Sequence, residues 1–313
     1  MSNTFGNVFR LTTFGESHGV AIGGVVDGCP AGVPVNTDFI ATEMLRRHVG
    51  KDATSRREPD NVSLLSGVKD GLTLGIPIGF VIGNSDQHSE DYDALAALCR
   101  PGHADYTYML RYGLRDHRGG GRASGRETAA RVVGGSIAKS FLLQKGITIQ
   151  AREVSPTASA QRGGVIECVV DNMVGGCGDP VFDKLNARLA YAMMSIPSAI
   201  GFEMGAGIAA AAWSGLEYRD EWCDPVDAAA HTVTVSNHCG GVQGGISNGM
   251  PLVFRVAFHA PTTVGGPTSC CDASGHIVSV DIQGRHDGCH IPRTVVVVEA
   301  MAALTIADVL VTR

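Results

Sequence analysis

Apolar residues recur at helical spacing in several stretches of the chain and alternate with polar ones in others. Ile40, Met44 and Leu45 share one face of a helix predicted over 37–49, with Asn36, Thr37 or Asp38 as its cap and Gly50 as its stop. The clearest helical pattern opens at Ser124. Ser124-Gly125-Arg126-Glu127 has the form of a capping box, Val133, Ile137 and Phe141 follow on one side, and Gly146 closes the run. Asp179-Pro180 opens a further helix, in which Phe182, Leu185, Leu189 and Met193 form an apolar stripe that reads as core, and Pro197 ends it. A last helix is expected from about Glu299 onward. The run at 10–24 is β-branched and strand-like, interrupted by Glu16, Ser17 and His18; 64–83 reads as two short strands around turn residues. Strands are also expected at 231–236, 252–259 and Ile277–Ile282, and 51–60 as a polar loop. Helices and hairpins do not alternate as β–α–β units, which favours an α+β fold with antiparallel sheets. No linker and no internal repeat breaks the chain, so one domain over residues 1–313 is expected.

Composition narrows this picture. Hydrophobic residues at 44% with 18% charged are globular, and 41 glycines against 6% aromatics point to tight turns and backbone that ligands approach closely. Nine cysteines, an odd number without a C-x-x-C pair, fit neither a disulfide framework nor a zinc site, so no metal is expected and the thiols read as reduced, in a cytoplasmic protein. The first residues carry no basic, apolar leader, and the apolar runs at 208–213 and 295–298 are too short to cross a bilayer; neither a secretory signal nor a membrane partner is expected. A net charge of −6 argues against nucleic acid. Between residues 100 and 131, however, seven arginines face only Asp105, Asp116 and Glu127, a local balance of +4 that suits a small, multiply charged anion.

Three places set a titratable group beside glycine: Gly15-Glu16-Ser17-His18-Gly19, Arg100-Pro101-Gly102-His103-Ala104-Asp105, and Gly284-Arg285-His286-Asp287. Histidine is the natural proton carrier near neutral pH, and glycine lets backbone approach a ligand. A hydrolase triad could be drawn from His103, Asp287 and Ser17, but Ser17 does not lie between a strand and a helix, where a nucleophile elbow needs it. Gly119 to Gly121 lead into the Ser124 helix, an approach that aims backbone N–H groups at an anion. Its spacing matches neither the dinucleotide fingerprint nor the phosphate loop. Arg126 falls in the first turn of that helix, where the dipole disfavours a cation unless an anion is bound, so it is expected to serve substrate affinity more than stability.

Together these segments resemble one family, the chorismate synthases. FRLTTFGESHG at 9–19, RPGHADYTY at 100–108, YGLRDHRGGGRASGRETAARV at 112–132, GGVQGGISNG at 240–249 and GRHDGC at 284–289 follow that family's signatures in its order. DGCPAGVPV, SRREPDNVSLLSGV and DPVFDKLNARLAYAMMSI fill the intervals, and the likeness covers nearly the whole chain.

The resemblance implies a β-α-β sandwich with helices packed between antiparallel sheets. It implies 1,4-anti elimination of phosphate from 5-enolpyruvylshikimate 3-phosphate to give chorismate. Reduced FMN is required, supplied here by a separate NAD(P)H-dependent flavin reductase, and the assembly is a homotetramer. By the same resemblance His18 protonates the departing phosphate, His103 stands at the reduced flavin, and Asp287 takes the flavin N5 proton. Arg47, Arg56, Arg57, Arg100, Arg126 and Arg285 fall where the family holds substrate. Arg122, Ala123, Ser124, Pro197, Ser198, Gly244, Ala260, Pro261, Thr262, Thr263, Val264 and Arg285 fall where it holds flavin. Several positions depart from the family pattern: Ala260 replaces a common Lys, Ala123 a common Ser, and Gly288 a common Pro. About three dozen residues usual between Glu153 and Gly176 are missing, as is a tail after Leu310. A flavin- and anion-binding homologue without turnover is the alternative reading, and the retention of His18, His103 and Asp287 argues against it.

Overall fold

The computed structural model describes residues 3–48, 59–86, 89–154, 162–263, 265–272, 274–282 and 289–312. The chain opens with β1 (Thr4–Phe5), β2 (Arg10–Gly15) and β3 (Ala21–Asp27), passes through α1 (Thr37–Leu45), and continues with β4 (Val62–Leu64), the hairpin β5 (Val68–Lys69) and β6 (Leu72–Thr73), and β7 (Ile78–Gly83). β8 (Leu98–Cys99) leads to α2 (Asp105–Tyr112) and α3 (Thr128–Leu143), followed by β9 (Thr148–Glu153), β10 (Gly164–Asp171), α4 (Leu185–Met194), β11 (Ala199–Met204) and the single turn α5 (Gly215–Tyr218). Two ribbons come next, β12 (Trp222–Asp227) with β13 (Thr232–Thr234) and β14 (Val242–Gln243) with β15 (Ile246–Ser247). Then come β16 (Leu252–Phe258), β17 (Gly266–Asp272), β18 (Ile277–Ile282) and α6 (Ile291–Thr312).

The larger sheets are antiparallel, with strand orders β1-β2-β3-β7-β4 and β11-β16-β10-β9; a third sheet has the order β18-β17-β8. In the first sheet Leu11 opposes Val26 and both are buried. The turn bearing Glu16, Ser17 and His18 projects beyond the end of that ladder. In the second, Ile166, Cys168 and Val170 oppose Val256, Phe254 and Leu252, all fully buried: every second residue faces inward, as the strand pleat requires.

Two helices fill the space between these sheets. α3 lies on β2 and β3, α6 lies on β9 and β10, and α3 packs against α6. Adjacent glycines in α3 make both contacts close. A Cβ on Gly134 would come within 2.9 Å of Leu11 Cδ2, and one on Gly135 within 2.4 Å of Ala300 Cβ. The layers are therefore sheet, helices, sheet, as the family resemblance implies. Asp308 of α6 is fully buried, and its carboxylate accepts the amides of Asn7 (2.8 Å), Val8 (2.7 Å) and Phe9 (2.9 Å) and pairs with Arg188.

The helix boundaries differ from the sequence expectation in instructive ways. α6 starts at Ile291, eight residues before Glu299, because a helix buried almost all round has no polar face to mark its beginning. It is long and apolar enough to cross a membrane, yet in this fold it is the central core helix. α4 starts at Leu185, and Phe182, placed on its buried stripe by spacing, is exposed. α1 ends at Leu45, itself exposed, and continues as a 3₁₀ turn over Arg46–His48. The Ser124 capping box does not form. Ser124 Oγ accepts the Arg126 amide at 3.2 Å, whereas the Glu127 carboxylate turns to Thr13 Oγ1 and Arg131 Nε, each 2.8 Å away. Two 3₁₀ turns, Gly121–Ala123 and Gly125–Glu127, precede α3.

Candidate active site

His18 and His103, remote in sequence, both lie against the loop of three glycines. At Gly119 (φ +69°) a Cβ would come within 2.4 Å of the His18 ring; at Gly120 it would lie 3.3 Å from His103 Nε2. No side chain fits at Gly119, and the absence of one at Gly120 leaves His103 Nε2 facing the loop. Tyr92 joins the same group, edge-on to His18 with ring centroids 5.0 Å apart and under the Arg100 guanidinium at 5.6 Å. Ser17 Oγ lies 3.0 Å from His18 Nδ1. Residues 15–19 spell G-x-S-x-G, but they form a strand–turn–strand corner, so the elbow of a hydrolase is ruled out by setting rather than by letters.

Two buried carboxylates organise the arginines around these histidines. Asp60 holds Arg47 Nη1 at 2.6 Å and His48 Nε2 at 3.1 Å on one oxygen and pairs with Arg126 through the other. Arg126 also donates to Asn84 Oδ1 (2.9 Å) and to the Gly83 carbonyl (3.2 Å). Asn84 in turn donates to the carbonyls of Glu16 and Gly19, so this cluster is tied to the His18 turn. Asp60 is thus the anion that makes a cation tolerable at Arg126, and a residue expected to serve affinity more than stability is also part of the fold. Asp105 holds Arg100 through both oxygens (Nε 2.8 Å, Nη2 3.0 Å), accepts from Arg115 Nη1 at 3.4 Å, and lies 2.9 Å from His103 Nδ1. Arg100 Nη2 reaches on to the Gly119 carbonyl at 2.8 Å. Burial would raise both carboxyls, but the histidine and arginine partners outweigh it and hold each well below the ordinary carboxylate range. Each cluster sets two guanidiniums against one carboxylate and keeps an excess of positive charge.

The residues expected at the flavin are partly brought together. His259 N donates to the Ser198 carbonyl at 3.0 Å, next to Pro197, and Thr262 Oγ1 donates to the Gly102 carbonyl at 3.1 Å. Thr262 therefore adjoins the His103 turn, Ser198 meets the residue before Ala260, and Ser124 flanks His103 across Gly120. Their hydroxyls and backbone amides, beside arginines, are the donor set that a phosphorylated flavin needs. Arg122 instead turns to β2, donating to Thr13 Oγ1 at 2.7 Å and to the Gly15 carbonyl at 3.3 Å; Ala123 ends the 3₁₀ turn beside it. Gly244 lies in the β14–β15 turn, at the end of α4 away from Pro197, where the Gly245 carbonyl accepts the Leu185 amide. Arg56, Arg57, Val264, Arg285, Asp287 and Gly288 lie outside the described residues. Asp60, Asn84 and Tyr92 were not singled out in the sequence. Asp60 ends a stretch that reads only as polar loop, and its arginine partners come 13 and 66 positions away. No group of three metal-ligating side chains occurs among the described residues, and all nine cysteines are free.

An α+β sandwich that gathers two histidines and paired arginine clusters around a glycine loop defines a protein acting on a small anion. A chorismate synthase family profile matches residues 9–161 and 152–311, breaking where the shortened middle segment lies. The chain is 44% identical to the chorismate synthase of Parabacteroides distasonis over 351 aligned positions, covering 98% of this chain and 97% of that protein. It is 45% identical to that of Nitratidesulfovibrio vulgaris over 348 positions, with 98% and 97% covered. A crystal structure of a chorismate synthase superposes with a TM-score of 0.76 at 28% identity, covering 98% of this chain and 93% of that one. The chain belongs to the chorismate synthase family.

Proposed function

We propose that the chain is an active chorismate synthase of the monofunctional type, converting 5-enolpyruvylshikimate 3-phosphate to chorismate with loss of phosphate and a C6 hydrogen. The observation that carries this reading is the pair of histidines on one glycine loop, flanked by arginine clusters with excess positive charge. A leaving phosphate needs both charge neutralisation and a proton. His18 is the proton donor to the phosphate, and Arg126 and Arg47, aimed by Asp60, and Arg100, aimed by Asp105, supply the field that binds the substrate's anionic groups. Arg56, Arg57 and Arg285 are proposed for the same task on sequence grounds.

Reduced FMN is the proposed cofactor, and when bound it lends the substrate an electron and recovers it, so there is no net redox change. Pro197, Ser198, Ala260 to Val264, Arg122 to Ser124, Gly244 and Arg285 are the residues proposed to hold it. His103 stands at its edge and stabilises its protonation state, and Asp287 acts as the base. A separate NAD(P)H-dependent reductase, a cytoplasmic location, a single domain and a homotetramer complete the proposal. Exposed Trp222, Ile208, Leu216 and Val235 support subunit contacts.

The test is anaerobic turnover with dithionite-reduced FMN and the enolpyruvyl substrate, followed by chorismate absorbance. Chorismate formed without net flavin oxidation is expected; no product from folded, flavin-binding protein would make the chain a binding homologue. Asp287→Asn is expected to keep binding of both ligands while kcat falls roughly 10²- to 10⁴-fold. Parental kcat in that variant would remove Asp287 as the base.

A further inference from the structure

We infer that Asp105 is a positioning residue that fixes the tautomer of His103, so that Nδ1 carries hydrogen and Nε2 is the atom presented to the glycine loop. This deepens the functional reading above and rests on it for its consequence, though not for its geometry. Asp105 is buried, and its partners Arg100 and Arg115 keep it ionised. An ionised carboxylate only accepts hydrogen bonds. Its 2.9 Å approach to His103 Nδ1 is therefore a bond only if that nitrogen bears hydrogen. Arg100 Nη2, 3.1 Å from the same nitrogen, is a donor as well, and would call for the opposite tautomer. The two demands cannot both be met. Arg100 Nη2 already has the Asp105 and Gly119 oxygens as acceptors, at 3.0 and 2.8 Å, whereas the carboxylate has no hydrogen to offer. The conflict resolves in favour of Asp105.

The remaining nitrogen then faces Gly120, where a Cβ would stand 3.3 Å from it and only hydrogen does. Glycine at this position and aspartate two residues after the histidine thus serve one end. The first clears a path to Nε2, and the second decides whether that atom carries a lone pair or a proton. Because Arg100 spans both oxygens of Asp105 and then grips the Gly119 carbonyl, the same carboxylate also sets the position of the loop that Nε2 faces.

The experiment is solid-state ¹⁵N NMR of the cofactor-free protein labelled at histidine, with His103→Gln used to assign the His103 signals. The expected spectrum of the unmodified protein above the titration range shows Nδ1 protonated and Nε2 bare. An Nε2-protonated ring there would overturn the inference without any variant being needed. In Asp105→Asn one carboxylate oxygen becomes an NH₂ group, and the ring is expected to turn over, in part or wholly, to the Nε2–H form. kcat should fall about 10- to 100-fold, as when other groups that orient a functional histidine are removed, beside a separate rise in KM as Arg100 loses part of its grip. An unchanged tautomer in a folded Asp105→Asn protein would also overturn it, as would a fall in activity carried entirely by KM. If the tautomer behaves as expected but the unmodified protein forms no chorismate, the functional reading fails and the positioning role stands.

Discussion

The two buried carboxylates hold the same set of partners, two arginines and one histidine, and are built in opposite ways. Around Asp105, three of the four members lie within six residues, Arg100, His103 and Asp105, and Arg115 follows ten residues on. Around Asp60, Arg47 and His48 come from the 3₁₀ turn after α1 and Arg126 from the turn before α3, 66 residues away. The first cluster is a local turn motif that orients a histidine. The second is a clasp between distant segments that aims two arginines. The histidines differ accordingly: His103 meets its carboxylate through Nδ1 and keeps Nε2 toward the loop, while His48 spends Nε2 on Asp60. The same three residue types thus orient a single ring in one case and join the chain in the other, and connectivity decides which.

The sharpest way to break this comparison is to remove each carboxylate. Asp60→Ala takes the 2.6 Å carboxylate partner from Arg47 and the ion-pair partner from Arg126, both buried, and should cost about 3–5 kcal/mol in chemical denaturation. Asp105→Ala should cost less, about 1.5–3 kcal/mol. There Arg100 keeps the Gly119 carbonyl, and Arg115 keeps those of Leu95 and Leu98 at 2.9 and 2.6 Å. Equal losses would mean that the two clusters are energetically alike.

Acid sharpens the same contrast. Both carboxyls are held below their unfolded value of about 3.9, so their contribution is complete above that pH and is lost as pH falls through and below it. Stability measured from about pH 5 down to about pH 3 should therefore decline, and Asp60→Asn should flatten the decline. An unchanged slope in that variant would assign the acid sensitivity to other groups. The smallest effect is expected at His48→Gln. His48 is a quarter exposed, and its loss should cost less than about 1 kcal/mol. A loss as large as that of Asp60→Ala would make His48 an equal member of the clasp.

What the sequence disclosed divides along the same line. The Asp105 cluster was legible as a stretch, Arg100 to Asp105, because its chemistry lies within one turn. Asp60 was not, since nothing in a polar loop announces a partner 66 residues on. The strands follow suit. β18 and β16 stand where apolar alternation and turn residues put them, whereas β9, β10 and β11 were not read. β10 carries the period-two signal, Ile166, Cys168 and Val170 inward, between Gly163 and Asn172, so its strand was legible although it went unread. α6 misled by the same physics in reverse, its uniform apolarity hiding where it begins. Of the proposed site, the histidines and the glycine loop were visible in order along the chain. Their meeting in space depends on Gly119, where only a residue without a side chain lets the loop close over His18.

The grip of Asp308 on the amides of Asn7, Val8 and Phe9 has a consequence for how the protein is made. The lead into the first sheet is fastened to a residue some 300 positions later. At a ribosomal pace of ~5–20 residues per second, those amides wait roughly 15–60 s for their acceptor. Until then β1 and the start of β2 have each other and β3 but not this clasp, and the lead into the first sheet is among the last parts to be secured.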